Sequence, residues 1–67
     1  MLNITINGEP RQFTDGQTVA SVVEALALTG KRIAIEKNGE IVPKSQHATT
    51  MLGAGDQLEI VVAVGGG

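Results

Sequence analysis

Cysteine, tryptophan and tyrosine are absent from this 67-residue chain, and Phe13 is its single aromatic residue. Without cysteine the chain can form neither a disulfide framework nor a thiolate metal site, on which many small domains depend. So short a chain forms at most one domain, with a thin core that leaves little room for a substrate-sized cavity. We therefore expect a single domain over residues 1–67 that is stabilised by apolar packing and works through its surface.

Charge and long apolar stretches are also scarce. The 5 basic and 7 acidic residues give a net charge of −2, and among the basic residues only Lys31 and Arg32 are adjacent. Nucleic-acid binding typically uses a basic stripe with stacking aromatic residues, so we expect no nucleic-acid partner. No stretch reaches the roughly 20 apolar residues that cross a bilayer, and the first residues lack the features of a signal peptide. These observations predict a soluble, cytoplasmic protein without a membrane partner.

Alternation of apolar and polar residues predicts a strand over residues 2–6 with one apolar face. Asn7-Gly8 then supplies the pair of residues with positive φ that a tight hairpin turn favours. A second strand is predicted over residues 9–13. Pro10 has no N–H to donate, so it should lie where that strand faces away from a hydrogen-bonded ladder.

The same alternation predicts a third strand over residues 32–36, a turn at Asn38-Gly39 and a short return over residues 41–43. A final strand is predicted over residues 58–64. Its core face carries Leu58, Ile60, Val62 and Val64, and its other face carries Glu59, Val61 and Ala63.

One helix is predicted between the second and third strands, at about residues 19–29. Its apolar residues recur at the spacing of a single helical face; they are Val19, Val22, Val23 and Leu26. Thr18 is a suitable N-cap, because its hydroxyl can accept a hydrogen bond from the first free N–H groups. Gly30 suits the position after a helix end.

Residues 44–55 are the least regular segment and are expected to hold a short helical turn and a loop, with Met51 and Leu52 filling the edge of the core. The order of elements is then β-β-α-β-(short β)-β. A single helix with one apolar stripe must lie across one face of the sheet and leave the other uncovered. This arrangement is typical of the α+β class and of the β-grasp (ubiquitin-like) fold, a mixed four- to five-stranded sheet with one main helix packed on one face.

The first candidate site is the tail Gly65-Gly66-Gly67, which directly follows the last strand. Glycine has no Cβ, so such a tail is flexible and can lie extended in a channel too narrow for side chains. The carboxylate of Gly67 is ionised at neutral pH, and an ATP-dependent partner could convert it to an acyl-adenylate. A frayed terminus or a cloning remnant is the alternative interpretation. The absence of a polar spacer between the last strand and the tail favours a functional tail.

The second candidate site is the uncovered sheet face. Val61 and Ala63 lie opposite the core-facing residues of the last strand, and Ala34 of the third strand joins them. A mild apolar patch close to the tail suits a partner-docking face. The alternative is that these are ordinary exposed apolar atoms.

No side chain is expected to be catalytic or to bind a metal. His47 is the only histidine, and no Cys or second His can complete a metal site with it. Ser45, His47 and Asp56 have the residue types of a catalytic triad, but such triads depend on a spatial geometry that this spacing does not imply. The glycines around Ala54 lack the Lys-Ser/Thr of a phosphate-binding loop. We expect neither enzymatic activity nor a bound cofactor.

Four stretches that together cover almost the whole chain carry a family resemblance: MLNITINGEP, DGQTVASVVEAL, IAIEKNGEIVPKSQHATTML and GAGDQLEIVVAVGGG. They resemble the ThiS family, the sulfur carriers of thiazole formation in thiamine biosynthesis. The resemblance implies that an E1-like enzyme adenylates the carboxylate of Gly67 with ATP and Mg²⁺. The carboxylate then becomes a thiocarboxylate, with sulfur from a sulfur-donating protein, and thiazole synthase uses that sulfur.

In the same resemblance Gly66 is the required neighbour of Gly67, and Gly65 and Gly66 thread into partner active sites. Gly65 departs from the commonest family ending of two glycines, and His47 stands where many relatives carry tryptophan; no role is assigned to either difference. Alternatives are a molybdopterin-synthase-type carrier, a ubiquitin-like protein modifier and a plain interaction module. The first is usually longer and richer in aromatic residues. We expect the free protein to be a monomer.

Overall fold

The computed structural model describes residues 1–63, which form one five-stranded mixed sheet and one main helix. The elements are β1 (Leu2–Ile6), β2 (Glu9–Phe13), α1 (Val19–Ala25), β3 (Ile33–Lys37), β4 (Glu40–Ile41), a 3₁₀ turn (Lys44–Gln46) and β5 (Gln57–Val62). Across the sheet the strands follow the order β2-β1-β5-β3-β4. Strands β1 and β5 are parallel, and the other neighbours are antiparallel. The predicted order of elements along the chain, β-β-α-β-(short β)-β, and the predicted four to five strands are confirmed.

The core lies between α1 and one face of the sheet. Its buried residues are Leu2, Ile4, Ile6, Val19, Val22, Val23, Ile35, Val42, Leu52, Leu58 and Ile60. Each such side chain contributes about 1.5–3 kcal/mol when fully buried. All buried side chains among residues 1–63 are apolar. Within the same range, no helix is long and apolar enough to cross a bilayer.

Met51 does not fill the edge of the core, which corrects the prediction made for it. Its side chain is 56% exposed, whereas that of Leu52 is only 7% exposed. Met51 forms a bridge with Thr18. Neighbouring side chains in extended backbone point to opposite sides, so only one of the two can face the core.

Local sequence signals account for both hairpins. Asn7 and Gly8 have φ of +52° and +81°, and Asn38 and Gly39 have φ of +52° and +84°. Positive φ at both central residues is the geometry of a type I′ turn, which matches the twist of the joined strands. Strand β2 is an edge strand, as the presence of Pro10 requires.

The start of α1 is as predicted. The Ser21 N–H donates to Thr18 Oγ1 over 3.1 Å, and the Thr18 N–H donates to Ser21 Oγ over 2.8 Å. These reciprocal bonds form a capping box, which satisfies two N–H groups that the helix leaves free.

The helix ends at Ala25, about one turn before the predicted end. The Leu28 N–H donates to the Val23 carbonyl, and the Ala27 N–H donates to the Glu24 carbonyl, both over 3.0 Å. These two bonds define a Schellman motif. Its left-handed position is taken by Ala27, with φ of +59°, and not by the glycine on which the prediction relied.

The early end places Leu28 against the core. A continued helix would rotate Leu28 by about 200° from Leu26 and turn it away from the sheet, whereas the motif leaves both leucines packed on the core cluster. Gly30, with φ of +84°, serves a second turn, which the Lys31 N–H closes by donating to the Leu28 carbonyl over 3.1 Å. Burial of Leu28 therefore outweighs the strain at Ala27.

The two turn asparagines attach the central strand β5 to both of its neighbours. The ladder between β1 and β5 is short, and Asn7 extends it: its Nδ2 donates to the Ile60 carbonyl over 3.1 Å, and its Oδ1 accepts from the Ile60 N–H over 2.8 Å. On the other side of β5, the Gln57 N–H donates to Asn38 Oδ1 over 2.9 Å. Each turn therefore contributes a side chain in place of a missing strand residue.

Replacement of Ala27 by glycine tests the strain at the helix end. Ala27→Gly should raise the free energy of unfolding by about 0.5–1 kcal/mol, because relief of the left-handed conformation exceeds the added entropy of the unfolded chain. Ala25→Gly, at the last helical residue, relieves no left-handed conformation and should lower the free energy of unfolding by about 0.5–1 kcal/mol. Urea denaturation of both variants measures the difference, and an unstabilised Ala27→Gly variant would contradict the assignment of strain.

Replacement of Asn7 by glycine tests the attachment of β5. Asn7→Gly keeps the positive φ but removes both bonds to Ile60 in a partly buried site, so we expect a loss of about 1–3 kcal/mol in the free energy of unfolding. Asn38→Gly is the matched control: it changes the same position of the same turn type, but the bonds are exposed. It should lose less than about 1 kcal/mol, and equal losses in urea denaturation would show that Asn7 has no special role.

Candidate functional site

Strand β5 lies in the middle of the sheet and leads directly to the C-terminal glycines. Ala63 is the last described residue, and its N–H donates to the Arg32 carbonyl over 2.9 Å. The end of β5 beyond Ile60 pairs only with β3, since β1 has already ended. The tail 65–67, with its predicted roles in sulfur carriage and in threading into partner sites, lies outside the described residues, as does Val64.

The residues predicted for partner docking lie together on the uncovered face of the sheet. Val61 and Ala34 are directly opposite each other in the pairing of β5 with β3. Val61 is 63% exposed, and Ala34 and Ala63 are exposed as well. Alternation places Ala63 on the same face as Val61. The structure therefore brings these three residues together beside the end of β5; their docking role remains a prediction.

Two further features of this face were not identified from the sequence. Ile41 is 65% exposed and pairs with Glu36, which puts it on the same face as Ala34. Glu36 also lies directly opposite Glu59 of β5. The two-residue Asn38-Gly39 turn fixes the register of β4 against β3, so the position of Ile41 could have been predicted from the sequence. The opposition of Glu36 and Glu59 depends on the register of β3 against β5, which no turn fixes. We refer to Ala34, Ile41, Val61 and Ala63 as the outer-face patch.

The opposed glutamates are electrostatically unfavourable for the isolated domain. Like charges directly opposite each other in an antiparallel pair are destabilising. In the described part of the chain neither Glu36 nor Glu59 takes part in an ion pair. The outer face therefore combines a small apolar patch with two uncompensated negative charges.

His47 has a structural position. Its Nε2 lies 3.0 Å from the Val42 carbonyl, to which it donates, and its own carbonyl accepts from the Ala20 N–H over 2.8 Å. The residue thus connects the 3₁₀ turn to the chain after β4 and to α1. It makes no hydrogen bond with Ser45 or Asp56 within residues 1–63, and no group of metal-ligating side chains occurs in that range.

Asp56 belongs to the turn before β5. Its carboxylate accepts from the Gly53 N–H over 2.8 Å and from Asn38 Nδ2 over 3.0 Å. Burial raises the pKa of Asp56, but these hydrogen bonds and the nearby Lys37 charge together outweigh burial and lower the pKa below its usual value. The carboxylate is therefore ionised and bound at neutral pH, which suits a turn cap and not a general base.

Comparison with solved structures identifies close structural similarity. The crystal structure of the thiamine biosynthesis protein ThiS from Geobacter metallireducens superposes with a TM-score of 0.81 at 28% identity, covering 98% of this chain and 100% of that one. A solution structure of a thiamine biosynthesis protein from the same organism gives a TM-score of 0.79 at 28% identity and covers 98% and 88%. The predicted β-grasp fold is confirmed.

Sequence relatives fall into two groups. The chain is 42% identical over 66 residues to a thiazole synthase of Paramagnetospirillum magneticum and 30% identical to one of Magnetococcus marinus. Each alignment covers 98% of this chain and 20% of the relative. The chain therefore spans about a fifth of these two relatives. It is also 33% identical to the uncharacterized protein ycf40 of Porphyra purpurea, of which it covers 93%. The sequence model of the ThiS family matches residues 4–67, and on this evidence the chain belongs to the ThiS family.

Proposed function

We propose that this protein is a sulfur carrier that holds sulfur on the main-chain carboxylate of Gly67 and donates it for thiazole formation in thiamine biosynthesis. The observation that carries the proposal is the family match, which extends over residues 4–67 and includes the tail. The names of the similar proteins, ThiS and thiazole synthase, favour this pathway over that of molybdopterin.

The proposed chemistry takes place on the main chain and in partner active sites. A carboxylate oxygen of Gly67 attacks the α-phosphorus of ATP in an E1-like enzyme with its Mg²⁺, and pyrophosphate leaves. Hydrosulfide (HS⁻), supplied at the oxidation level of sulfide by a sulfur-donating protein, then attacks the carbonyl carbon of the acyl-adenylate; the new C–S bond forms as the C–O bond to AMP breaks, and AMP leaves. The resulting thiocarboxylate is the form that thiazole synthase consumes. In this scheme the chain is a cosubstrate and not a catalyst.

The outer-face patch is well placed to dock such partners. Residues 64–67 can span at most about 14 Å when fully extended, so a partner that holds Gly67 must approach close to Ala63. The patch begins at Ala63 and Val61, beside the end of β5. The uncompensated charges of Glu36 and Glu59 favour a partner surface that carries cationic side chains, since pairing removes their mutual repulsion.

The intact mass of the protein tests the carrier proposal. Incubation with the cognate activating enzyme, MgATP and a sulfur source should produce a species heavier by one oxygen-to-sulfur replacement, and fragmentation should localise it to Gly67. The same spectrum shows whether the mature chain ends at Gly67, as the proposal requires. A variant that lacks Gly66 and Gly67 should form no such species while its circular dichroism is unchanged. Absence of the heavier species from the full chain would refute the proposal.

A charge on the outer-face patch tests docking. Val61→Lys should lower kcat/KM of the activating enzyme for this protein by about tenfold or more, which corresponds to about 1.4 kcal/mol, because it puts a cation in the apolar patch where the proposed partner surface is also cationic. Met51→Lys is the matched control, since Met51 is similarly exposed at 56% but lies elsewhere on the surface. Its kcat/KM should stay within about twofold of the unmodified protein. Equal effects of the two variants, at equal folding stability, would exclude this face as the docking site.

A further inference from the structure

A groove on the helix side of the sheet is not used by the proposed carrier chemistry. It lies between α1, the loop that leads into β3 and the 3₁₀ turn, and has a volume of about 660 Å³. We define this helix-side groove by Val23, Leu28, Lys31, Arg32, Ile33 and Lys44. Because α1 covers the inner face of the sheet, the groove and the outer-face patch lie on opposite sides of the domain.

The groove carries a local excess of positive charge in an acidic protein. Lys31 and Lys44 line it, and Glu24 is its only acidic lining residue within residues 1–63. Arg32 also lines it, but the Arg32 carbonyl accepts from the Ala63 N–H, and alternation along β3 puts the Arg32 side chain on the face of Ala34. Within residues 1–63 neither lysine takes part in an ion pair. Since the whole chain carries a net charge of −2, this local excess of cations predicts a ligand with negative charge.

The floor of the groove is apolar. Val23, Leu28 and Ile33 contribute to it, and the last two are only partly buried by the core cluster. A ligand that combines a bulky apolar group with anionic groups would cover this floor and reach the cations at the rim. Such a combination is the usual composition of a specific binding groove.

One wall of the groove is an open sheet edge. Strand β4 is paired only with Glu36 and Lys37, so Ile33 has no strand neighbour on the side away from β5 among residues 1–63. The Ile35 carbonyl accepts from the Val42 N–H on that side. Main-chain groups two residues apart in a strand face the same way, so those of Ile33, which also lines the groove, face away from β5.

From the charge, the apolar floor and the open edge together, we propose that the helix-side groove binds an extended acidic segment of a partner protein. The segment adds to the edge of β3 at Ile33, inserts an apolar side chain between Val23 and Leu28, and pairs its carboxylates with Lys31 and Lys44. Strand addition supplies affinity through main-chain bonds, and the side chains supply specificity. A single-stranded nucleic acid fits less well, since the groove offers no aromatic platform. The inference does not depend on the carrier chemistry of Gly67.

Titration of the full-length protein with a fluorescein-labelled peptide of alternating glutamate and valine or leucine tests the proposal. Fluorescence anisotropy should show binding that Lys31→Glu and Lys44→Glu each weaken about tenfold, as expected for loss of a charge-assisted contact. Arg11→Glu is the matched control, because it makes the same change of charge on the distant edge strand β2, and it should change affinity by less than about twofold. Equal weakening by all three variants would mean non-specific attraction and would overturn the proposal.

Amide hydrogen exchange tests the position of the peptide. On saturation with peptide, exchange of the Ile33 N–H should slow about tenfold or more, because it gains a hydrogen-bond partner. The exchange rate of the Ala34 N–H, which faces β5, should be unchanged. Protection on the outer face, with none at Ile33, would overturn the proposal. So would tighter binding of a single-stranded oligonucleotide or of phosphatidylserine vesicles than of the peptide. Self-association abolished by Lys44→Glu would also overturn it and would assign the groove to a second copy of the chain.

Discussion

The pairing of β5 with both of its neighbours is the constraint on which the rest of the structure depends. This strand buries Leu58 and Ile60 in the core, exposes Val61 on the outer face and leads to the tail. Its ladder with β1 is short, and the Asn7 side chain extends it to Ile60 across 53 residues of sequence. A parallel pair has no hairpin to fix its register, so the Asn7 amide defines where β5 stops pairing with β1 and where the part of β5 that pairs only with β3 begins.

The features that could be predicted from the sequence are those that nearby residues decide. The Asn-Gly turns, the Thr18 cap and the alternating strands each express a preference within a few residues. The predicted end of the helix was wrong because packing of Leu28 against the core ends the helix earlier. Ala27 there adopts a left-handed conformation that local preference assigns to glycine. The side-chain hydrogen bonds of Asn7 were not predicted for a related reason. Its role in the turn is local, but its hydrogen-bond partner, Ile60, lies 53 residues away in the sequence.

The candidate site divides in the same way. Period-two alternation was sufficient to place Val61 and Ala63 on one face, while the opposition of Glu36 and Glu59 needed the register of β3 against β5. The predicted role of Gly67 came from a chemical argument about an unhindered carboxylate and from the family resemblance. No fold geometry could supply it, because the reacting group is main-chain and the catalytic side chains of the scheme belong to partners.

A carrier that passes between partners needs surfaces that do not compete with each other. A standard interface takes about 800 Å² from each protein, which is less than a fifth of the 4470 Å² of accessible surface of this chain. Two such interfaces therefore fit, provided that they lie on different faces. The sheet separates an acidic outer face at Glu36 and Glu59 from a groove lined by Lys31 and Lys44. Under the two proposals, opposite charge on opposite faces would let one partner remain bound on the helix side while another takes the tail, and would discourage either partner from occupying the wrong face.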